Sequence, residues 1–165
     1  TGLTANFHDI NSYAFWKCLP ISKDDSISLA NLFYESIHFE NIELVENSRE
    51  GVRELFKNHE IYFVTSRPLH IKDKTLDFLK KYFSFGSYKV LFSNDFSGGP
   101  GFNKADFCRE EELHILIEDN AEYASSCSLN GTKVFLFDKP WNQQIQNYEN
   151  IVRVKNWNEL LEKIK

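Results

Sequence analysis

Beyond about residue 60 the chain alternates two hydrophobic rhythms. Short apolar runs at Ile61-Tyr62-Phe63-Val64, Tyr88-Lys89-Val90-Leu91-Phe92, His114 to Ile117, Lys133 to Phe137 and Ile151 to Val154 have the length and the β-branched or aromatic content of strands. Between them apolar residues recur at helical spacing, as at Leu76, Leu79 and Phe83, with Lys72, Lys74, Lys80 and Lys81 on the opposite, solvated face. A Gly/Pro-rich loop at Ser97 to Gly101 precedes a predicted helix from about Asn103 to Glu112. Asn120 is placed to cap a helix whose Ala121, Ala124, Ser125 and Ser128 can approach a sheet closely, and Asn130-Gly131 supplies its stop. Asn156 followed by Glu159 has the spacing of a capping box for a final helix.

Strands that alternate with helices predict an α/β fold, a doubly wound, mostly parallel sheet of Rossmann-like type covered by helices on both faces. In such sheets ligands bind at the carboxyl ends of the strands. Residues 1–47 read differently, with a helix start at Ser22-Lys23-Asp24-Asp25 and apolar residues on more than one face up to Ile37. They are expected to form a small helical cap module, and residues 48–165 the α/β core, opened by a helix that Ser48 caps and that turns Val52, Leu55 and Phe56 toward the sheet. No Gly/Ser linker separates the two, which argues for one domain.

Composition narrows the picture. The 165 residues are 42% hydrophobic and 15% aromatic, enough for one sizeable core. A formal net charge of −5 with scattered Lys and Arg argues against a nucleic acid polymer as partner. No apolar stretch approaches the ~18 residues of a membrane span, so no membrane partner is expected. Cys18, Cys108 and Cys127 are too dispersed to chelate a metal and odd in number, which favours a reducing, cytoplasmic setting. The chain begins at Thr1 and has no methionine, so a segment is expected to have been removed from its front.

Three features at predicted strand ends could carry chemistry. Val64-Thr65-Ser66-Arg67-Pro68 puts two hydroxyls and a guanidinium ahead of a helix, suited to a phosphate or simply to capping. Glu118-Asp119 ends an apolar strand, and adjacent carboxylates suit a hard cation such as Mg²⁺, although one of them could merely cap the next helix. Lys104 opens the helix leading back to that strand and, taken alone, reads as an exposed lysine.

Taken together and in this order, these features resemble the haloacid dehalogenase-like hydrolase superfamily. Within it the chain looks most like the 5′-nucleotidase and 5′(3′)-deoxyribonucleotidase-like group. The resemblance is carried by Asp9-Ile10-Asn11-Ser12-Tyr13-Ala14-Phe15-Trp16, Phe33-Tyr34-Glu35-Ser36, Val64 to Pro68, Leu116-Ile117-Glu118-Asp119-Asn120 and Phe137-Asp138-Lys139-Pro140-Trp141-Asn142. It implies a Mg²⁺-dependent hydrolase of a small phosphomonoester, a nucleotide or a related phosphate. It also implies that Thr65 binds the transferring phosphoryl group and Lys104 offsets its charge, that Ser66 and Arg67 help hold the substrate, and that Asp119 holds the metal while Glu118 orders a metal-bound water. Phe15, Trp16, Phe33, Tyr34 and Phe39 of the cap become candidates to stack on a base, against the alternative that they are core.

One departure is large. The superfamily's nucleophile and its acid/base partner lie in an Asp-x-Asp motif that closes a central first strand, and no Asp-x-Asp occurs in this sequence. The first core strand is therefore expected ahead of Thr1, because the strands ending at Thr65 and Asp119 would otherwise flank a gap of unpaired backbone. The alternatives are a non-catalytic relative that binds a phosphorylated ligand or a protein partner, and a phospho-acceptor receiver domain suggested by Lys139-Pro140 but mismatched at Glu118-Asp119.

Overall fold

The computed structural model describes residues 5–93, 104–145 and 148–164; the predicted loop at 97–101 and the start of the next helix at Asn103 lie outside them. Two 3₁₀ turns, Phe7–Asp9 and Phe15–Lys17, lead into α1 (Lys23–Glu35) and a single turn, α2 (Ile37–Glu40). Then follow α3 (Ser48–Leu55), β1 (Ile61–Thr65), α4 (Lys72–Phe83), β2 (Tyr88–Phe92), α5 (Lys104–Glu110), β3 (Ile115–Glu118), α6 (Ala121–Leu129), β4 (Lys133–Phe137), β5 (Ile151–Val154) and α7 (Trp157–Lys163).

The strands are parallel, as the alternation requires. β1 pairs with β2 in the register Ile61 opposite Tyr88, and β3, β4 and β5 pair in that order with Ile115 opposite Lys133 and Val134 opposite Ile151. Helices cover both faces, and β4 shows it directly. Phe135 packs with Val52, Leu55, Leu79, Phe83 and Trp157, whereas Val134 and Leu136 on the other face pack with Ala105, Cys108, Ala124 and Cys127. Alternation of side chains along a strand makes this division obligatory.

β1–β2 and β3–β4–β5 are separate sheets, with no described strand on the free edge of β1 or of β3. Between those edges runs a cleft of about 690 Å³, walled by Ile61 to Val64 on one side and Leu113 to Glu118 on the other, with Trp157 and Phe83 below. A strand inside a doubly wound sheet is ordinarily buried on both faces. All five residues of β1 are only half-buried.

Local capping follows the sequence with two adjustments. Ser22 accepts the Asp25 amide at 3.0 Å, and Asn120 accepts those of Glu122 and Tyr123. Gly131, at φ +89°, supplies the left-handed turn after α6. Asn156 caps α7 as expected, but Glu159 takes the Lys155 amide at 2.8 Å rather than that of Asn156. Ser48 does not cap α3. The cap position is Asn47 in the left-handed region, and the buried Ser48 hydroxyl has no hydrogen-bond partner among the described residues.

Candidate active site

The carboxyl ends of β1, β2 and β3 converge on one polar cluster. At the end of β1 the Thr65 hydroxyl accepts the Arg67 amide at 3.2 Å, which leaves its proton available to a ligand. Ser66 shares a hydrogen bond with the Tyr123 hydroxyl at 3.3 Å. Ser93, fully buried just past β2, donates its amide to the Thr65 carbonyl at 2.8 Å and its hydroxyl to Ser66 at 3.4 Å, tying two strand ends together.

Lys104 is 7% exposed, so the reading of an exposed lysine does not hold. Its Nζ donates to Glu118 Oε2 at 2.8 Å and lies 4.2 Å from the centre of the Tyr123 ring. A buried ammonium needs such partners. The other Glu118 oxygen, Oε1, accepts the amides of Asp119 and Asn120. These bonds fix the Glu118 carboxylate between Lys104 and the start of α6.

Asp119 is held through its backbone. Its carbonyl accepts Asn142 Nδ2 at 2.8 Å and Trp141 Nε1 at 3.2 Å, and Asn142 also donates to the Phe137 carbonyl. Arg153 in turn donates to Asn142 Oδ1 at 2.6 Å and to Asp138 at 2.9 Å. Burial and the adjacent Glu118 carboxylate push the Asp119 carboxyl up to about 6, against the pull of Lys104 and Lys139. Mg²⁺ uses one or two carboxylates and keeps several waters, so the Asp119 carboxylate could serve as a ligand, whereas both Glu118 oxygens are already engaged by Lys104 and by the Asp119 and Asn120 amides. Among the described residues no group of three or more His, Cys, Asp or Glu forms a closed metal cage.

Arg67 brings a second cation to the cluster. Its guanidinium is sandwiched 5.1 Å from the Phe39 ring and 5.6 Å from that of Phe78, and donates to Thr75 at 3.5 Å. No carboxylate among the described residues pairs with it, and desolvation pulls its basicity below the ordinary value. A half-buried cation without an anion is prepared for one.

A cavity of about 700 Å³ opens from Thr65, Ser66 and Arg67 toward the front of the chain. Of the five cap aromatics singled out, Phe15, Phe33 and Tyr34 line it, alongside Phe7, Tyr13 and Trp141; Trp16 and Phe39 do not. Burial, with the carboxylates of Asp119 and Glu118 adding to it, raises the Tyr13 phenol above its ordinary value.

Thr65, Ser66, Arg67, Lys104, Glu118 and Asp119 are thus brought to one end of the strands. Sequence reasoning missed Ser93, Tyr123, Tyr13 and Asn142. Ser93 carries the signal used for Thr65, a hydroxyl directly after an apolar strand, and Tyr123 lies in the first turn after the Asn120 cap. Tyr13 lines the adjoining cavity from a distant segment; the stretch Asp9 to Trp16 around it carried the resemblance, but nothing in it singled out Tyr13.

No family model matches the chain. It is similar to a nucleotidase of Clostridium acetobutylicum, 27% identical over 153 residues that cover 92% of this chain and 74% of that protein. It is also similar to a 5′(3′)-deoxyribonucleotidase of Bacillus subtilis, 32% identical over 129 residues, 76% of this chain and 64% of that protein. A 5′(3′)-deoxyribonucleotidase of Bacillus phage SPbeta matches with the same identity and coverage. The chain thus spans a little under two thirds of the deoxyribonucleotidases it matches, and its relatives at low identity are nucleotidases.

Proposed function

We propose that the protein is a Mg²⁺-dependent phosphomonoester hydrolase of the 5′-nucleotidase or deoxyribonucleotidase type within the haloacid dehalogenase-like superfamily. It would act in the cytoplasm on a nucleotide or a related phosphate. The observation that carries the reading is the cluster of Thr65, Ser66 and Arg67 after β1 with Lys104 and the Glu118-Asp119 carboxylates at the end of β3, Lys104 and Glu118 also lining the cleft between the two strands. A strand lying in that cleft parallel to β1 and β3 would deliver its last residues beside Lys104 and Glu118, which line the cleft. The reading puts the missing aspartates there, on a strand ahead of Thr1.

By this mechanism a carboxylate from that strand attacks phosphorus, the ester P–O bond breaks, and the alcohol leaves with a proton from the second acid; water then releases phosphate. Thr65 donates its hydroxyl proton to a phosphoryl oxygen, and the ammonium of Lys104 offsets the charge that collects there. Arg67, with Ser66 beside it, holds the substrate. Asp119, with Glu118 ordering a bound water, would hold Mg²⁺, which supplies further neutralisation of the phosphate. Residues 1–47 would act as the cap that excludes water.

Phosphate release by the full-length protein tests the assignments. Asp119→Asn, close in shape, is expected to lower turnover at least a hundredfold with little loss of melting temperature, and Lys104→Ala to abolish it. Unchanged turnover in either variant contradicts these roles, and nucleotide binding without any release of phosphate favours a non-catalytic binder.

A further inference from the structure

α5 and α6 meet along two rungs. Lys104 faces the ring of Tyr123, and four residues further along each helix Cys108 faces Cys127, with the sulfurs 3.8 Å apart. Residues four apart share one face of a helix. The second rung is buried, in a core that also holds Ala105 and Ala124, so the packing of the two helices sets the Tyr123 ring against Lys104.

The head of α6 thereby supplies two partners to the buried Lys104 ammonium. Glu118 Oε2 accepts Nζ at 2.8 Å while Oε1 is bound by the Asp119 and Asn120 amides. The centre of the Tyr123 ring lies 4.2 Å from the same Nζ. A cation is attracted by the face of an aromatic ring, and more strongly where water is excluded. A lysine on its flexible stem, held by one carboxylate, can swing about it. A second contact removes that freedom.

The far end of the Tyr123 side chain reaches the other arm of the cluster. Its hydroxyl lies 3.3 Å from that of Ser66, just past β1, and Ser66 Oγ also accepts the Ser93 hydroxyl at 3.4 Å. A serine oxygen has two acceptor positions and one proton. With Tyr123 as donor both acceptor positions are filled, and the Ser66 proton is left for a ligand.

We propose that Tyr123 is a positioning residue with two separable tasks: its hydroxyl donates to Ser66 and so aims the Ser66 proton at the substrate phosphate, and its ring fixes the Lys104 ammonium where charge collects on the phosphoryl group. The inference rests on the function proposed above, in which Ser66 helps hold the substrate and Lys104 offsets its charge. Tyr123 acts through those two residues.

Steady-state hydrolysis of p-nitrophenyl phosphate and of the 2′-deoxyribonucleoside 5′-monophosphates by the full-length protein, with calorimetric titration of inorganic phosphate, tests this. Tyr123→Phe keeps the ring and loses the hydroxyl. It is expected to raise KM and weaken phosphate about fivefold, with kcat nearly retained. Tyr123→Leu loses both groups and is expected to lower kcat about tenfold as well. A role in packing alone would lower the melting temperature without dividing KM from kcat in this way. Unchanged KM and phosphate affinity in Tyr123→Phe overturn the role of the hydroxyl, whether or not Tyr123→Leu folds. A folded Tyr123→Leu with the kcat of Tyr123→Phe overturns the role of the ring. Both results leave the proposed function standing. If the unsubstituted protein neither hydrolyses these esters nor binds phosphate, that function falls and the role of Tyr123 falls with it.

Discussion

Lys104 and Glu118 lie 14 positions apart, and their ion pair is buried at both ends. Such a pair is poor at stabilising a fold, because desolvation consumes most of the attraction, so its use is to fix a cation at the strand ends. The Asp138–Arg153 pair has the opposite character, half-exposed and dependent on solution conditions. Hydrogen bonds from Gln143 and Arg153 hold the Asp138 carboxyl below its ordinary value. A depressed carboxylate contributes stability at pH above its unfolded value and loses it as pH falls through the folded one. The melting temperature is therefore expected to drop on acidification below about pH 4, and Asp138→Asn to flatten that limb; an identical acid limb in the variant contradicts the pairing. Thr65, Glu118 and Asp119 were legible in the sequence because an apolar run stops abruptly at each. The burial of Lys104 was not, since it depends on how α5 lies against β3 and α6.

At the scale of elements, capping chemistry transferred well from sequence to structure at Ser22, Asn120 and Asn156, where a short side chain meets amides two or three residues on. It failed at Ser48, because a left-handed Asn47 starts α3 one residue earlier. The contact of α3 with α7 illustrates what spacing alone does not disclose. A side chain added at Gly51 would overlap the ring of Trp157, so glycine is there for close approach rather than for flexibility. Gly51→Ala is expected to cost about 1–3 kcal/mol by overpacking, read as a lowered melting temperature. A stability gain, as removing a helical glycine would give on propensity alone, contradicts that packing. The turn Pro140–Asn142 joins elements in another way, since fully buried Asn142 ties the end of β4 to Asp119. Its motif was visible in the sequence, but its use as a bracket for the acidic strand end was not.

At the scale of the molecule, alternation of strand and helix was sufficient to read the parallel, two-faced α/β architecture, and β4 carries both cores that it implies. The division into two sheets was legible only through the missing Asp-x-Asp, and it is to the cleft between β1 and β3 that the proposed function assigns the strand bearing that motif. The polar cluster and the cleft meet at Lys104 and Glu118, and the proposed function stands or falls with the cleft housing the strand that bears the nucleophile. Determining the structure of the full-length protein by crystallography tests it most directly. The expected result is a parallel strand hydrogen-bonded to both β1 and β3, ending in a carboxylate beside Thr65, Lys104 and Asp119. A cleft closed by direct pairing of β1 with β3, or filled by a segment that brings no carboxylate to the cluster, would contradict that function.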